Sequence, residues 1–118
     1  MDYSQMLTQV EDSEITIRVG ELFGWNAYFI HPDGSVTFRD DRGRLKGRKN
    51  YCNNPSDAWP IIVENKIKIE PVRRVRNYNE WYEEWDASVN SPHFCESHKN
   101  PLRAAMIVFL LSQEDKHA

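Results

Sequence analysis

Apolar residues along this chain fall into short runs whose spacing changes from helical to extended and back. Ile15, Val19 and Leu22 recur at i, i+4 and i+7 with Phe23 beside them, the stripe of a helix over 13–23. Asp12 or Ser13 offers a side-chain oxygen to the free N–H groups at its start, and Gly24 is a natural stop. Gly20 lies inside the stripe, at a cost of about 1 kcal/mol relative to Ala. The residues before it, 1–11, show no period and are expected to form a loose arm. WNAYFIH and SVTFRD are rich in aromatic and β-branched residues and flank Pro32-Asp33-Gly34, a sequence made for a tight reversal. They predict a β-hairpin over 25–39, with Tyr28 and Ile30 joining Val36 and Phe38 on one buried face.

Beyond the hairpin, DDRGRLKGRKN (40–50) is charged, glycine-containing and almost free of apolar residues, so it reads as an exposed loop. Pro60 is comfortable only near a helix start, which places the next helix from Trp59–Pro60 to Lys66. Ile67 and Ile69 alternate with Lys68 and Glu70 as a strand near 67–70, and Trp85, Ala87 and Val89 share a face of another over 84–89. VRRVRNYNEWY between them has no decisive period. Asn100-Pro101 then opens a helix over 102–112, with Asn as cap and Pro in the first turn. That helix is apolar nearly all round and is expected to be buried. The predicted fold is α+β: a small antiparallel sheet holding the hairpin and both strands, covered by the N-terminal and C-terminal helices. Its expected core includes Trp25, Trp59 and Trp85 with Ala104, Ala105, Val108 and Phe109.

A length of 118 residues fits one domain over 1–118, and 40% hydrophobic content excludes a disordered chain. Fifteen basic against 18 acidic residues leave a formal charge of −3, so a nucleic-acid role would have to rest on a local patch. No stretch approaches the roughly 20 apolar residues that span a bilayer, and MDYSQMLTQVEDSE is polar where a secretion signal is apolar. No membrane association is expected, and the expected compartment is the cytoplasm, where Cys52 and Cys95 stay reduced.

Two segments carry a family resemblance. CNNPSDAWPIIVENKIKI (52–69) and KNPLRAAMIVFLLSQE (99–114), with the opening MDYSQ and the helix after it, resemble the NinX-like family of lambdoid phage and prophage proteins. Together they cover about half of the chain, whereas 25–50 and 70–98 show no such likeness. The resemblance implies a phage or prophage origin and an accessory role, for a family with no established biochemical activity. The residues that carry it, Trp59, Pro60-Ile61 and Pro101 to Ala105, are of the kind that a fold keeps.

Candidate chemistry is sparse. His93, Cys95 and His98 lie within six residues, and with Cys52 could supply a Cys₂His₂ zinc set, although H-x-C-x-x-H lacks the paired spacing of finger sites. The plainer reading is a polar loop before the last helix. The same imidazoles could activate either thiol as a nucleophile, but no surrounding signature supports it. Glu80, Glu83, Glu84 and Asp86, interleaved with Trp81, Tyr82 and Trp85, have the composition of a sugar-cleaving site and, more commonly, of a solvated face. Arg39, Arg42, Arg44, Lys46, Arg48 and Lys49 set six cations against two aspartates, and Arg73, Arg74 and Arg76 could extend them into a phosphate-binding patch with Tyr28 or Tyr51 to stack on bases. Walker, dinucleotide-binding, HExxH and GxSxG motifs are absent, so no cofactor is expected and a non-enzyme is favoured. The sequence therefore points first to a protein that binds a host or phage protein. A nucleic-acid-contacting factor is the alternative, and a zinc-stabilised domain or enzyme the third reading.

Overall fold

Helix α4 (Pro101–His117) is the axis on which the other helices and the second sheet pack, while the first sheet packs on α2. From Ala104 to Leu111 all its side chains are buried, because helices lie on one side of it and a sheet on the other. The computed structural model describes residues 2–90 and 93–117. Among these are four helices, α1 (Tyr3–Gln9), α2 (Asp12–Leu22), α3 (Pro55–Glu64) and α4. Two three-stranded antiparallel sheets accompany them, β1 (Asn26–Ile30), β2 (Val36–Arg39) and β3 (Leu45–Lys49), then β4 (Lys68–Asn77), β5 (Glu80–Asn90) and β6 (His93–His98). The α+β class is as expected, but the strands divide between two sheets instead of sharing one. No helix among the described residues is long and apolar enough to cross a membrane.

The expected loose arm is a helix, with Met1 outside the described residues. Asp2 accepts from the Gln5 N–H at 2.8 Å and Gln5 returns a bond to the Asp2 N–H at 2.9 Å, a reciprocal cap. Leu7 is fully buried, and Tyr3, Met6 and Val10 pack beside it against the core, a short helical stripe that the sequence reading passed over. Helix α2 buries Ile15 and Val19 of the predicted stripe together with Thr16 and Gly20, whereas Leu22 and Phe23 are exposed. Its N-cap is Glu11, without a side-chain cap bond, and Asp12 lies in the first turn. Gly20 has a packing reason: a Cβ there would overlap the Phe38 ring on β2.

In the first sheet, Val36 and Phe38 are buried as predicted, while Tyr28 and Ile30 on β1 are exposed, so only the β2 half of the hairpin joins the core. The predicted 40–50 loop is a turn and a third strand. Asp40 accepts from the Arg42 and Arg44 N–H groups, and Gly43 takes a positive φ. Strand β3 was hidden because, at the sheet edge, it buries neither face, and edge strands tolerate charge. Helix α3 starts earlier than predicted: Asn54 caps it and Pro55, not Pro60, sits in the first turn. Its buried stripe is therefore Ala58, Ile61 and Ile62, which turns Trp59 outward at 60% exposure. Trp25 is half-buried against Phe38, and Trp85 is half-buried on β5. In the second sheet, β4 and β5 pair from Lys68↔Ser88 to Asn77↔Glu80, well beyond both predicted strands, and β6 replaces the loop expected before α4.

The layers are clasped by Arg103. Its guanidinium, 6% exposed, donates to the Leu7 and Val10 carbonyls at 3.1 and 2.6 Å and to the Asp12 carboxylate at 2.6 Å. Burial would push the Asp12 carboxyl up, but hydrogen bonds from Arg103 and Asn53, with the Arg103 charge, hold it below its ordinary value. A carboxyl whose folded pKa is depressed contributes stability that is full above its unfolded pKa and lost as pH falls through the folded one. Denaturant titrations should therefore show Arg103→Met less stable by about 3–5 kcal/mol, since it strands a carboxylate and two carbonyls. Asp12→Asn should lose stability at neutral pH and flatten the acid limb of the wild-type stability profile below about pH 4. Gly20→Ala should destabilise by about 1–3 kcal/mol through overpacking against Phe38, despite the better helix propensity of Ala.

Candidate binding surface

The second sheet becomes a two-stranded arm where β6 ends. Strand β6 pairs with β5 only from Trp85 to Asn90, so Val72–Asn77 and Glu80–Glu84 have only each other. At about 3.3 Å per residue this ribbon reaches roughly 20 Å beyond the three-stranded part. Its far end is a turn at Tyr78-Asn79, with Asn77 Oδ1 accepting from the Asn79 N–H at 3.0 Å. Val75, Tyr78 and Trp81 are 74%, 92% and 57% exposed.

Charge pairs hold the ribbon across its strands. Arg73 stacks its guanidinium 4.0 Å from the Trp81 ring centre and lies 3.6 Å from Glu83. Arg76 stands 4.8 Å from the Tyr82 ring centre. Arg74 donates to Glu84 at 2.7 Å and to Asp86 at 2.7 and 2.9 Å, and Asp86 also accepts from the Ser97 hydroxyl. The hydroxyl bond from Ser97, then Arg74, outweighs burial and keeps the Asp86 carboxyl below its ordinary value. The Glu80, Glu83, Glu84 and Asp86 cluster is thus no pair of facing catalytic carboxylates: Glu84 and Asp86 share one arginine, and Glu83 faces the other side of the strand.

The basic 39–49 segment is largely neutralised. Arg44 and Lys46 lie 3.0 and 3.7 Å from Asp40, Arg48 lies 2.9 Å from Asp33, and Lys49 lies 3.8 Å from Asp57. Counting Asp33 and Asp57, six cations face four carboxylates in this part of the surface. Arg39 and Arg42 make no ion pair among the described residues. Arg39 covers the Tyr28 ring at 3.8 Å, with Phe29 exposed beside it in the strand. Arg73, Arg74 and Arg76 lie on the other sheet, so the nine cations are divided between two surfaces.

The candidate metal ligands are separated. Strand alternation puts His93 and Cys95 on one face of β6 and His98 on the other. His98 Nδ1 instead accepts from the Asn100 N–H at 2.8 Å. Cys52 is buried beside Asp12, and no cluster of three metal-ligating side chains occurs among the described residues. Burial, with the nearby Asp12 charge, pushes the Cys52 thiol up to about 12, and burial followed by Asp86 raises that of Cys95. Neither is an activated nucleophile. A maleimide should modify exposed Cys95 and spare Cys52 until denaturant is added, read by mass spectrometry.

Sequence reasoning missed Val75 and Tyr78, and named Trp81 only within the carboxylate cluster. The signal was present in the mirrored charges about Tyr78, with Arg73, Arg74 and Arg76 before it and Glu80, Glu83 and Glu84 after, as a cross-strand register requires.

The comparisons agree with this fold. A crystal structure of a phage protein from Bacillus cereus ATCC 14579 is similar to it, with a TM-score of 0.56 at 12% identity over 89% of each chain, a likeness of fold alone. No curated protein matches the chain. The family described as Bacteriophage P22, NinX matches residues 5–113, which takes in both sheets and nearly all of the helical layer. The chain therefore belongs to the NinX family of phage proteins.

Proposed function

We propose that this NinX-family protein is a phage accessory factor that binds another protein, of the host or of the phage, through the β4–β5 arm. The setting of this reading is the cytoplasm of an infected or lysogenic bacterium. The observation that carries it is the uncovered tip: Val75, Tyr78 and Trp81 project on a ribbon whose strands, among the described residues, pair only with each other. Apolar side chains grouped in this way mark interaction sites, and Tyr, Trp and Arg are the residues in which binding hot spots are richest. Arg73 is already stacked on Trp81, which lowers the ordering cost of binding. The arm's arginines have acidic or aromatic partners of their own, so its available contact energy is mainly apolar and aromatic.

A nucleic-acid reading keeps one supporting observation, the Arg39–Tyr28 stack beside exposed Phe29, a small platform of the kind on which bases stack. Affinity capture from host lysate, in nuclease-treated and untreated halves, separates the two. The expected result is a nuclease-resistant protein partner retained by wild type and lost by Tyr78→Ser/Trp81→Ser, exposed positions whose change leaves the melting temperature within a few degrees. Partners lost on nuclease treatment and on Arg39→Ala/Arg42→Ala, but kept by the arm variant, would transfer the function to the first sheet.

A further inference from the structure

Between α2, α3 and α4 runs an open trough, lined by apolar and polar side chains alike, that shares no residue with the arm. Two adjoining depressions of about 400 and 190 Å³ meet at Leu22 and Gln113. Phe109 and Leu110 of α4 and Ile61 of α3 form the floor, while Leu22 and Phe23 at the end of α2 leave over 40% of their surface uncovered. Glu21, Glu64 and Glu114 stand exposed on the rim. None of them pairs with a cation among the described residues, and Arg18, the lining cation, is held 3.0 Å from Glu14. Unlike Asp33, Asp40, Asp57, Glu83, Glu84 and Asp86, these three acids have no basic counterpart among the described residues.

We propose that the trough receives a basic amphipathic helix of a partner protein, a second binding site that goes beyond the arm. Two depressions in line suit two apolar anchors one or two turns apart on such a helix, and Lys or Arg on its flanks would meet Glu21, Glu64 and Glu114. Other occupants fit worse. A second copy of the chain would bring the exposed Trp59 and Val63 of α3 accompanied by Asp57 and Glu64, setting acid against acid. An anionic lipid surface would meet the same repulsion.

The test uses two synthetic helical peptides of equal length with the same Leu stripe, one with Lys and one with Glu on the polar face. Each is titrated into the ¹⁵N-labelled full chain. The Lys peptide should shift the amides of Leu22, Phe23, Ile61 and Phe109 and bind about tenfold more tightly than the Glu peptide, the worth of two or three partly exposed charge pairs. Glu21→Lys/Glu64→Lys, changed only at exposed positions, should reverse that preference, whereas Tyr78→Ser/Trp81→Ser should leave it intact. Equal binding of both peptides, shifts confined to 75–81, or a preference unmoved by charge reversal would overturn the proposal. None of these outcomes bears on lysate capture by the arm, so the two readings fail separately.

Discussion

The fold turns on one buried cation. Arg103 projects from the first turns of α4 into the corner between α1 and α2, where the chain reverses at Val10 and Glu11. Helix α1 ends there, with the carbonyls of its last turn unpaired, and α2 begins, with Asp12 in its first turn. The guanidinium satisfies both: it takes the Leu7 and Val10 carbonyls at the negative end of one helix and the carboxylate at the positive end of the next. A buried charge is unfavourable unless its hydrogen bonds are met, and three acceptors meet most of them here. The corner also reaches the middle of the chain. Asn53 donates to Asp12 at 3.1 Å, and Asn100 donates to the Cys52 carbonyl at 2.7 Å. Residues 7–12, 52–53 and 100–103, remote in sequence, are thus locked into one polar joint on which the apolar layers close.

That joint accounts for which parts of the sequence resemble the family. The segments carrying the likeness, 52–69, 99–114 and the first helices, are the clasp and the faces packed on α4. The first sheet and the arm lie in 25–50 and 70–98, where no likeness was legible, and carry the exposed Tyr28, Phe29, Val75, Tyr78 and Trp81. The residues legible as a resemblance are those of the scaffold and of the trough, while the family model itself runs over 5–113 and takes in both sheets.

Legibility followed burial. Helices α2 and α4 were readable because the core imposes a stripe on the one and surrounds the other. The β2 half of the first hairpin was readable because Val36 and Phe38 are inside, whereas its β1 half was assigned to the same face and lies outside. Strand β3 and the arm were not legible, since no buried face writes a period of two into them; their signals are turn chemistry at Asp40-Gly43 and charge matched across strands. Strand β6 was not legible because its inner face is Phe94 with the polar Glu96 and His98. Helix α3 misled for a different reason. Two prolines competed for its first turn, and only the Asn54 cap, ahead of Pro55, decides between them. Of the candidate sites, Arg73, Arg74 and Arg76 were read as a possible extension of the 39–49 patch; the fold puts them on the other sheet, where they brace the arm across its strands.

Those struts explain how an unsupported ribbon holds a direction. An isolated two-stranded hairpin is at best marginally stable in water, so the arm needs a fixed root and side-chain bracing along its length. The root is the three-stranded part, where Ala87 is buried and Ile69, Val89 and Phe94 pack against the core. On the opposite face Asp86 is shared by Ser97 of β6 and Arg74 of β4, one carboxylate spanning all three strands. From there Arg74–Glu84, Arg73–Trp81 and Arg76–Tyr82 continue the bracing toward the tip on alternate faces. Each contact is exposed or only partly buried and individually weak, but together they leave Tyr78 and Trp81 presented on an ordered ribbon and not on a coil. The charges of this segment brace the arm across its strands, and what the arm leaves most uncovered is Val75 and Tyr78 at its tip.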